Sequence, residues 1–269
     1  MGMNEFLKDT LQPGALDVCI VLDIDSKILN DEFEFEMAMR VLPIKWRNKV
    51  MCKKTGSDRK KALCNRLLQL VGCSVACNIP VESLNFDTIQ NGKPLLIDQD
   101  KSNGIVTFSM TNGKHFVAIY LKRSTLDAHV TYDVGIDLAS VADLEDPINL
   151  ELYRDIFNPI EYESLQSNVG MELKRLFAYY WSFKESYTKY TGTGISCDLK
   201  AINAGRLENF ENAERIERLI DHLPMIFHST WLNHTYPEII TTCQPKALHN
   251  ESPKLYRISV SDILSYLKQ

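Results

Sequence analysis

The chain has 269 residues, 45% of them hydrophobic and 24% charged, with a net charge of −5. These are globular proportions, large enough for one or two cores, and the acidic balance argues against a wholesale nucleic-acid binder. No run of about 18 apolar residues is present, so no membrane span is expected.

The N-terminus, Met1-Gly2-Met3-Asn4-Glu5-Phe6, lacks the basic and apolar regions of a signal peptide, and Phe6 stands where a myristoylation motif needs Ser or Thr. Val18 to Leu22 reads as a buried strand closed by Asp23-Ile24-Asp25. Ser57 and Asp58 can cap a helix through Leu63, Leu67, Leu68 and Val71, ending near Gly72. Strands follow at Gly104–Met110 and Phe116–Leu121, joined across Asn112-Gly113, a strong hairpin signal. A further strand is expected from about Val130 to Leu138, then helices near 148–157, 161–167 and 170–190. Short strands return at Pro224–Phe227 and Ile239–Thr242, and a capped helix runs from Ser259 to Leu267. The class is α+β, with the seam between residues 122 and 130 and halves of 1–125 and 126–269.

The seven cysteines are an odd, scattered set, and Cys73 and Cys77 form a lone C-x3-C with no second pair. They read as reduced, mostly buried thiols of a cytoplasmic protein. The sequons at Asn233 and Asn250 carry little weight without a secretory signal. None of the six histidines has metal-ligand spacing from another, so structural roles are expected for them.

Nine basic residues lie between Lys45 and Arg66 (Lys45, Arg47, Lys49, Lys53, Lys54, Arg59, Lys60, Lys61, Arg66) against one acid, Asp58. Three readings stay open: a site for a polyanion such as nucleotide or CoA phosphates, a solvated helix face, or a nucleic-acid patch. The last has only Trp46 as an interleaved aromatic. In a helix, Trp181, Glu185 and Lys189 share one stripe, while Val134-Gly135-Ile136-Asp137 ends a β-branched run on a carboxylate. Two carboxylates on two rigid elements, with a lysine one turn away, suit Mg²⁺ held against a diphosphate. Each residue alone also fits a cap or an ordinary ion pair. Lys184 lies on a different part of the helix face and is ambiguous. Thr191-Gly192-Thr193-Gly194 most simply ends the helix.

Gly92-Lys93-Pro94, Phe108-Ser109-Met110-Thr111, Gly135-Ile136-Asp137, Phe157-Asn158-Pro159-Ile160-Glu161 and Trp181-Ser182-Phe183-Lys184-Glu185-Ser186 occur in sequence. In order and spacing they resemble the surfactin-type 4′-phosphopantetheinyl transferases, over about residues 40 to 195. The last motif, W-x-x-K-E-S-x-x-K-x-x-G, is highly specific. Val134 to Ser140 and Pro253-Lys254-Leu255-Tyr256 look most like the fungal subgroup that activates α-aminoadipate reductase in lysine biosynthesis.

The resemblance implies a pseudo-twofold pair of α+β halves with CoA and Mg²⁺ in the cleft between them. It places Asp137 and Glu185 on the family's metal ligands and Lys189 on its diphosphate-contacting lysine. Gly92, Lys93, Thr111 and Asn112 fall on CoA-contacting positions, and Lys49 and Lys53 in the segment that holds the 3′-phosphate. Two departures stand out. Asn112 replaces a histidine, keeping a hydrogen-bond donor but no charge. Ala139 replaces a third carboxylate, which leaves diphosphate oxygens and water to complete the six-oxygen shell. The reaction implied moves the phosphopantetheine arm of CoA onto a serine of an apo-carrier protein and releases 3′,5′-ADP, with Glu185 as candidate base. No nucleic-acid or membrane partner is expected, and a monomer suffices. A non-catalytic CoA binder and a Mg²⁺-dependent diphosphate hydrolase are the competing readings.

Overall fold

The structure, a computed structural model, describes residues 1–10, 15–89, 92–99, 104–124, 133–145, 147–212, 214–232, 237–247 and 251–268. It divides into two compact units. Unit 1 comprises residues 1–88, 94–131 and 253–269, and unit 2 comprises 89–93 and 132–252.

Unit 1 contains α1 (Met3–Thr10), β1 (Leu16–Asp23), α2 (Lys27–Asn30), α3 (Glu32–Arg40), α4 (Ile44–Met51), α5 (Gly56–Cys77), β2 (Asn85–Thr88), β3 (Pro94–Ile97), β4 (Val106–Asn112) and β5 (Phe116–Arg123). In chain numbering its C-terminal pieces are β10 (Lys254–Ile258) and α8 (Val260–Leu267). The main sheet has the order β10-β1-β5-β4, with β10 parallel to β1 and the other pairs antiparallel. Residues Val18 to Leu22 of β1 are buried because the strand is flanked on both edges and covered by helices, the setting that favours a continuous apolar run.

The expected helix over Leu63–Val71 is α5, but both of its ends differ from the sequence reading. Thr55 is the N-cap, its hydroxyl accepting from the Asp58 backbone N–H, so Asp58 sits in the first turn. The helix also continues past Gly72 to a left-handed Asn78 (φ 55°). Gly72 is a packing residue: a Cβ there would stand 3.0 Å from Leu121 Cδ1 and 3.6 Å from Ile119 Cγ2, so glycine lets α5 lie close on β5. The hairpin across Asn112-Gly113 is present, with Asn112 opposite Val117 and the Gly113 N–H donating to Phe116 O at 2.8 Å.

Unit 2 contains β6 (Gly135–Ser140), a 3₁₀ stretch at Pro147–Tyr153, α6 (Pro159–Gln166), α7 (Gly170–Thr191), β7 (Glu214–Ile220), β8 (Leu223–Trp231) and β9 (Glu238–Pro245). Its sheet is antiparallel throughout, in the order β6-β9-β8-β7. The start of the expected strand, Val130 to Tyr132, lies outside the described residues, as do His129, His234, His249 and the asparagines of both sequons. α7 packs on β6 and β9, and the Phe183 ring stacks on Phe227 with centroids 3.8 Å apart. Burying a side chain of that size contributes about 1.5–3 kcal/mol.

Both units repeat one plan. A first strand (β1 or β6) leads to a 22-residue helix (α5 or α7). An antiparallel hairpin (β4-β5 or β8-β9) then returns its second strand beside the first. This is the α+β duplication that the family resemblance implied.

Candidate functional site

Two features bring β6 against α7. Gly135 has no side chain, and a Cβ there would collide with the Ser186 carbonyl and stand 2.7 Å from Tyr190 N. Ser182 Oγ, fully buried, donates to the Asp137 carbonyl at 3.3 Å. The strand-end carboxylate is thereby delivered to the helix stripe. Asp137 is buried at 4% exposure, and its Oδ1 accepts from Lys189 Nζ at 2.6 Å. One turn earlier, Glu185 is half-buried, and its Oε1 is buried with no hydrogen-bond partner among the described residues. Burial pushes the Glu185 carboxyl above its usual range. The Asp137 charge adds to that, and Lys189 opposes it. Trp181, a turn further back, stacks on Phe177 at 6.1 Å and 12°.

The site therefore concentrates negative charge that the fold neutralises only in part, which suits a bound cation. Among the described residues no group of three or more His, Cys, Asp or Glu could hold a metal; the carboxylates that meet here are those of Asp137 and Glu185. Ala139, on the same face of β6 as Asp137, is fully buried in the unit 2 core.

Lys93 ends in the same neighbourhood. Its side chain, 9% exposed, donates to Tyr190 O at 2.9 Å and Val134 O at 3.4 Å and pairs with Asp133 Oδ1 at 3.2 Å. Gly92 precedes it at φ 81°, in a turn where the Gly92 N–H donates to Ile89 O. Asn91 lies outside the described residues.

Lys184 is resolved as a structural residue. Only 1% exposed, it pairs with Glu161 Oε2 at 2.7 Å and donates to Leu199 O and Ile202 O at 2.9 and 2.6 Å. Glu161 is itself fully buried. It closes a capping box with Asn158, each side chain accepting from the other's N–H at 3.0 Å, and takes a third bond from Ala204 N at 2.7 Å. The Asn158-Pro159-Ile160-Glu161 motif is thus a helix start with Pro at N1, and Asn and Glu three residues apart were its legible signal.

In unit 1, Lys49 and Lys53 are exposed, and Lys49 Nζ lies 4.2 Å over the Trp46 ring. Four other members of the basic run are tied into the fold. Arg66 is buried, stacked on Trp46 and hydrogen-bonded to Gln69 at 2.5 Å, its pKa lowered to about 10 by burial. Arg47 donates to Leu42 O and Arg40 O, Arg59 to Lys53 O, and Lys60 to the Asn30 side chain. Thr111 is buried on β4; Asn112 is exposed and accepts from the Asn65 amide. All seven cysteines are free, four of them buried.

The sequence profile of the 4′-phosphopantetheinyl transferase superfamily matches residues 133–240, and that of the 4′-phosphopantetheinyl transferase N-terminal region matches 30–122. The chain belongs to the 4′-phosphopantetheinyl transferase family, and is of the transferase class. Among relatives, it is 39% identical to the L-aminoadipate-semialdehyde dehydrogenase-phosphopantetheinyl transferase of Saccharomyces cerevisiae, over 91% of this chain and 89% of that protein. The like-named protein of Candida glabrata is 37% identical over 85% and 83%, and that of Eremothecium gossypii 31% over 81% and 75%. No helix among the described residues is long and apolar enough to cross a membrane.

Proposed function

We propose that this protein transfers the 4′-phosphopantetheine arm of CoA to a serine of an apo-carrier domain, that of α-aminoadipate reductase in lysine biosynthesis, releasing 3′,5′-ADP. The supporting observation is the junction of β6 and α7. There Asp137 is clasped by Lys189 beside Glu185, whose Oε1 is buried without a hydrogen-bond partner among the described residues. Asp137 and Glu185 would hold Mg²⁺, which when bound neutralises charge on the diphosphate.

The carrier serine Oγ forms a bond to the β-phosphorus of CoA, and the bond from that phosphorus to the oxygen bridging to 3′,5′-ADP breaks. The serine proton passes to Glu185, directly or through a water. Burial and the Asp137 charge raise the Glu185 carboxyl in the metal-free protein, and a bound metal lowers its basicity. Lys189, 29% exposed, places its ammonium where charge grows on the diphosphate. Lys49 and Lys53 are assigned to the 3′-phosphate, and Gly92, Thr111 and Asn112 to other parts of CoA. The free, largely buried thiols suit a cytoplasmic protein, and the chemistry asks for no more than a monomer.

The test is incubation with CoA, Mg²⁺ and the apo-carrier domain, read by intact mass. A gain of one phosphopantetheine on the carrier is expected. CoA binding without transfer, or release of 3′,5′-ADP without carrier, would replace the proposal with a binder or a hydrolase.

A further inference from the structure

We propose that Lys93 is a positioning residue that fixes the register of α7 against β6 through the backbone, and that its ammonium does not hold CoA; this rests on the transferase reading above. Residues 89–93 belong to unit 2 although unit 1 residues flank them in sequence. Their turn packs on the end of α7: a Cβ on the left-handed Gly192 would meet Ile89 Cδ1 at 3.4 Å and Lys93 Cδ at 3.7 Å.

The last carbonyls of a helix have no partner within it and carry partial negative charge. In α7 the carbonyl of Tyr190, in the last turn, accepts from Lys93 at 2.9 Å. An ammonium has three protons. Lys93 has three acceptors at 2.9, 3.4 and 3.2 Å: Tyr190 O, Val134 O and Asp133 Oδ1. Its protons are therefore committed within the protein. The two carbonyls it joins lie next to Lys189 in the chain and three residues before Asp137. A lysine that bridges them sets where Lys189 and Glu185 stand relative to Asp137. Burial lowers the Lys93 pKa, in keeping with an ammonium enclosed by its acceptors and away from bulk water.

The substitution Lys93→Met keeps the length of the stem and removes the three donors. Three quantities are read: backbone hydrogen exchange in the ligand-free protein, the Kd for CoA by calorimetry, and kcat for carrier modification at saturating CoA. Expected are faster exchange confined to residues 133–137 and 187–192, a CoA Kd within about threefold of wild type, and kcat lower by about ten- to hundredfold, the scale of a small misplacement of reacting groups. A tenfold or greater loss of CoA affinity with unchanged exchange and kcat would overturn the proposal and make Lys93 a CoA contact. So would unchanged exchange with any loss of activity. If Lys93→Met does not fold, Lys93→Gln, which replaces the three-donor ammonium with a shorter neutral amide, is read on the same three scales with the same criteria. A wild-type protein that modifies no carrier would refute the transferase reading, while the exchange comparison would still decide whether Lys93 braces α7.

Discussion

Replacing Lys184 with methionine separates a structural lysine from a catalytic one. The side chain is 1% exposed, and its partner Glu161 is fully buried. Lys184→Met removes the ion pair and the bonds to Leu199 O and Ile202 O, and leaves Glu161 buried with only the N–H groups of Asn158 and Ala204 as donors. Breaking a buried pair by removing one partner costs about 3–5 kcal/mol. At about 2–4 °C per kcal/mol for a protein of this size, Tm should fall by roughly 10 °C. Burial already lowers the Lys184 pKa, so the pair is held by geometry more than by any preference of the ammonium for that site. Most of the penalty is the stranded carboxylate, so Lys184→Met combined with Glu161→Gln should be more stable than the single variant. Differential scanning calorimetry with carrier modification below the transition measures both. Near-wild-type Tm with lost transfer in Lys184→Met would refute the reasoning and place Lys184 in the chemistry.

Three further outcomes are expected. Glu185 is raised above the ordinary 4.5 by burial and by Asp137, so its native form holds the proton more tightly than the unfolded chain does, and its contribution to stability falls as pH rises from 4.5 through the raised native value. In EDTA, Glu185→Gln should therefore melt higher than wild type at pH 7, with the gap closing near pH 4; a lower Tm at pH 7 would refute the burial argument. Charge removal at Lys49 and Lys53 should weaken CoA far more than dephospho-CoA in calorimetric titrations, because the two ligands differ only in the 3′-phosphate, and equal losses would return the pair to a solvated face. Gly135→Ala must push β6 from α7 against backbone atoms of Ser186 and Tyr190; overpacking of this kind costs about 1–3 kcal/mol and a 1 Å displacement about a hundredfold in rate, so wild-type kinetics would disprove the close approach.

The elements legible in the sequence were those whose apolar pattern matched their setting: β1, α5, the β4-β5 hairpin, α7 and α8. β7 was missed because Glu214-Arg215-Ile216-Glu217-Arg218 alternates charge with little apolar content, and its pairing with β8 supplies what its own sequence lacks. β10 was missed because its strand character depends on β1, more than two hundred residues earlier. At the site, Asp137, Glu185 and Lys189 could be read from spacing because a helix stripe and a strand end obey fixed periods. Lys184 and Lys93 could not. What they do depends on carbonyls of Leu199, Ile202, Val134 and Tyr190, and backbone acceptors brought together by tertiary folding leave no mark on residue type. Four of the nine basic residues, Arg47, Arg59, Lys60 and Arg66, are similarly spent on backbone, side-chain and ring contacts that a charge count does not reveal.

The rate of carrier modification by wild type, Asp137→Ala and Glu185→Ala, followed by intact mass with CoA and Mg²⁺ at saturation, tests the two-carboxylate site most directly. Wild type is expected to add one phosphopantetheine to the apo-carrier domain, and each variant, folded by calorimetry, to fall below about a tenth of that rate, a barrier increase of at least about 1.4 kcal/mol. A folded variant of either carboxylate that keeps more than a tenth of the wild-type rate would contradict the assignment of Asp137 and Glu185 as the pair on which transfer depends.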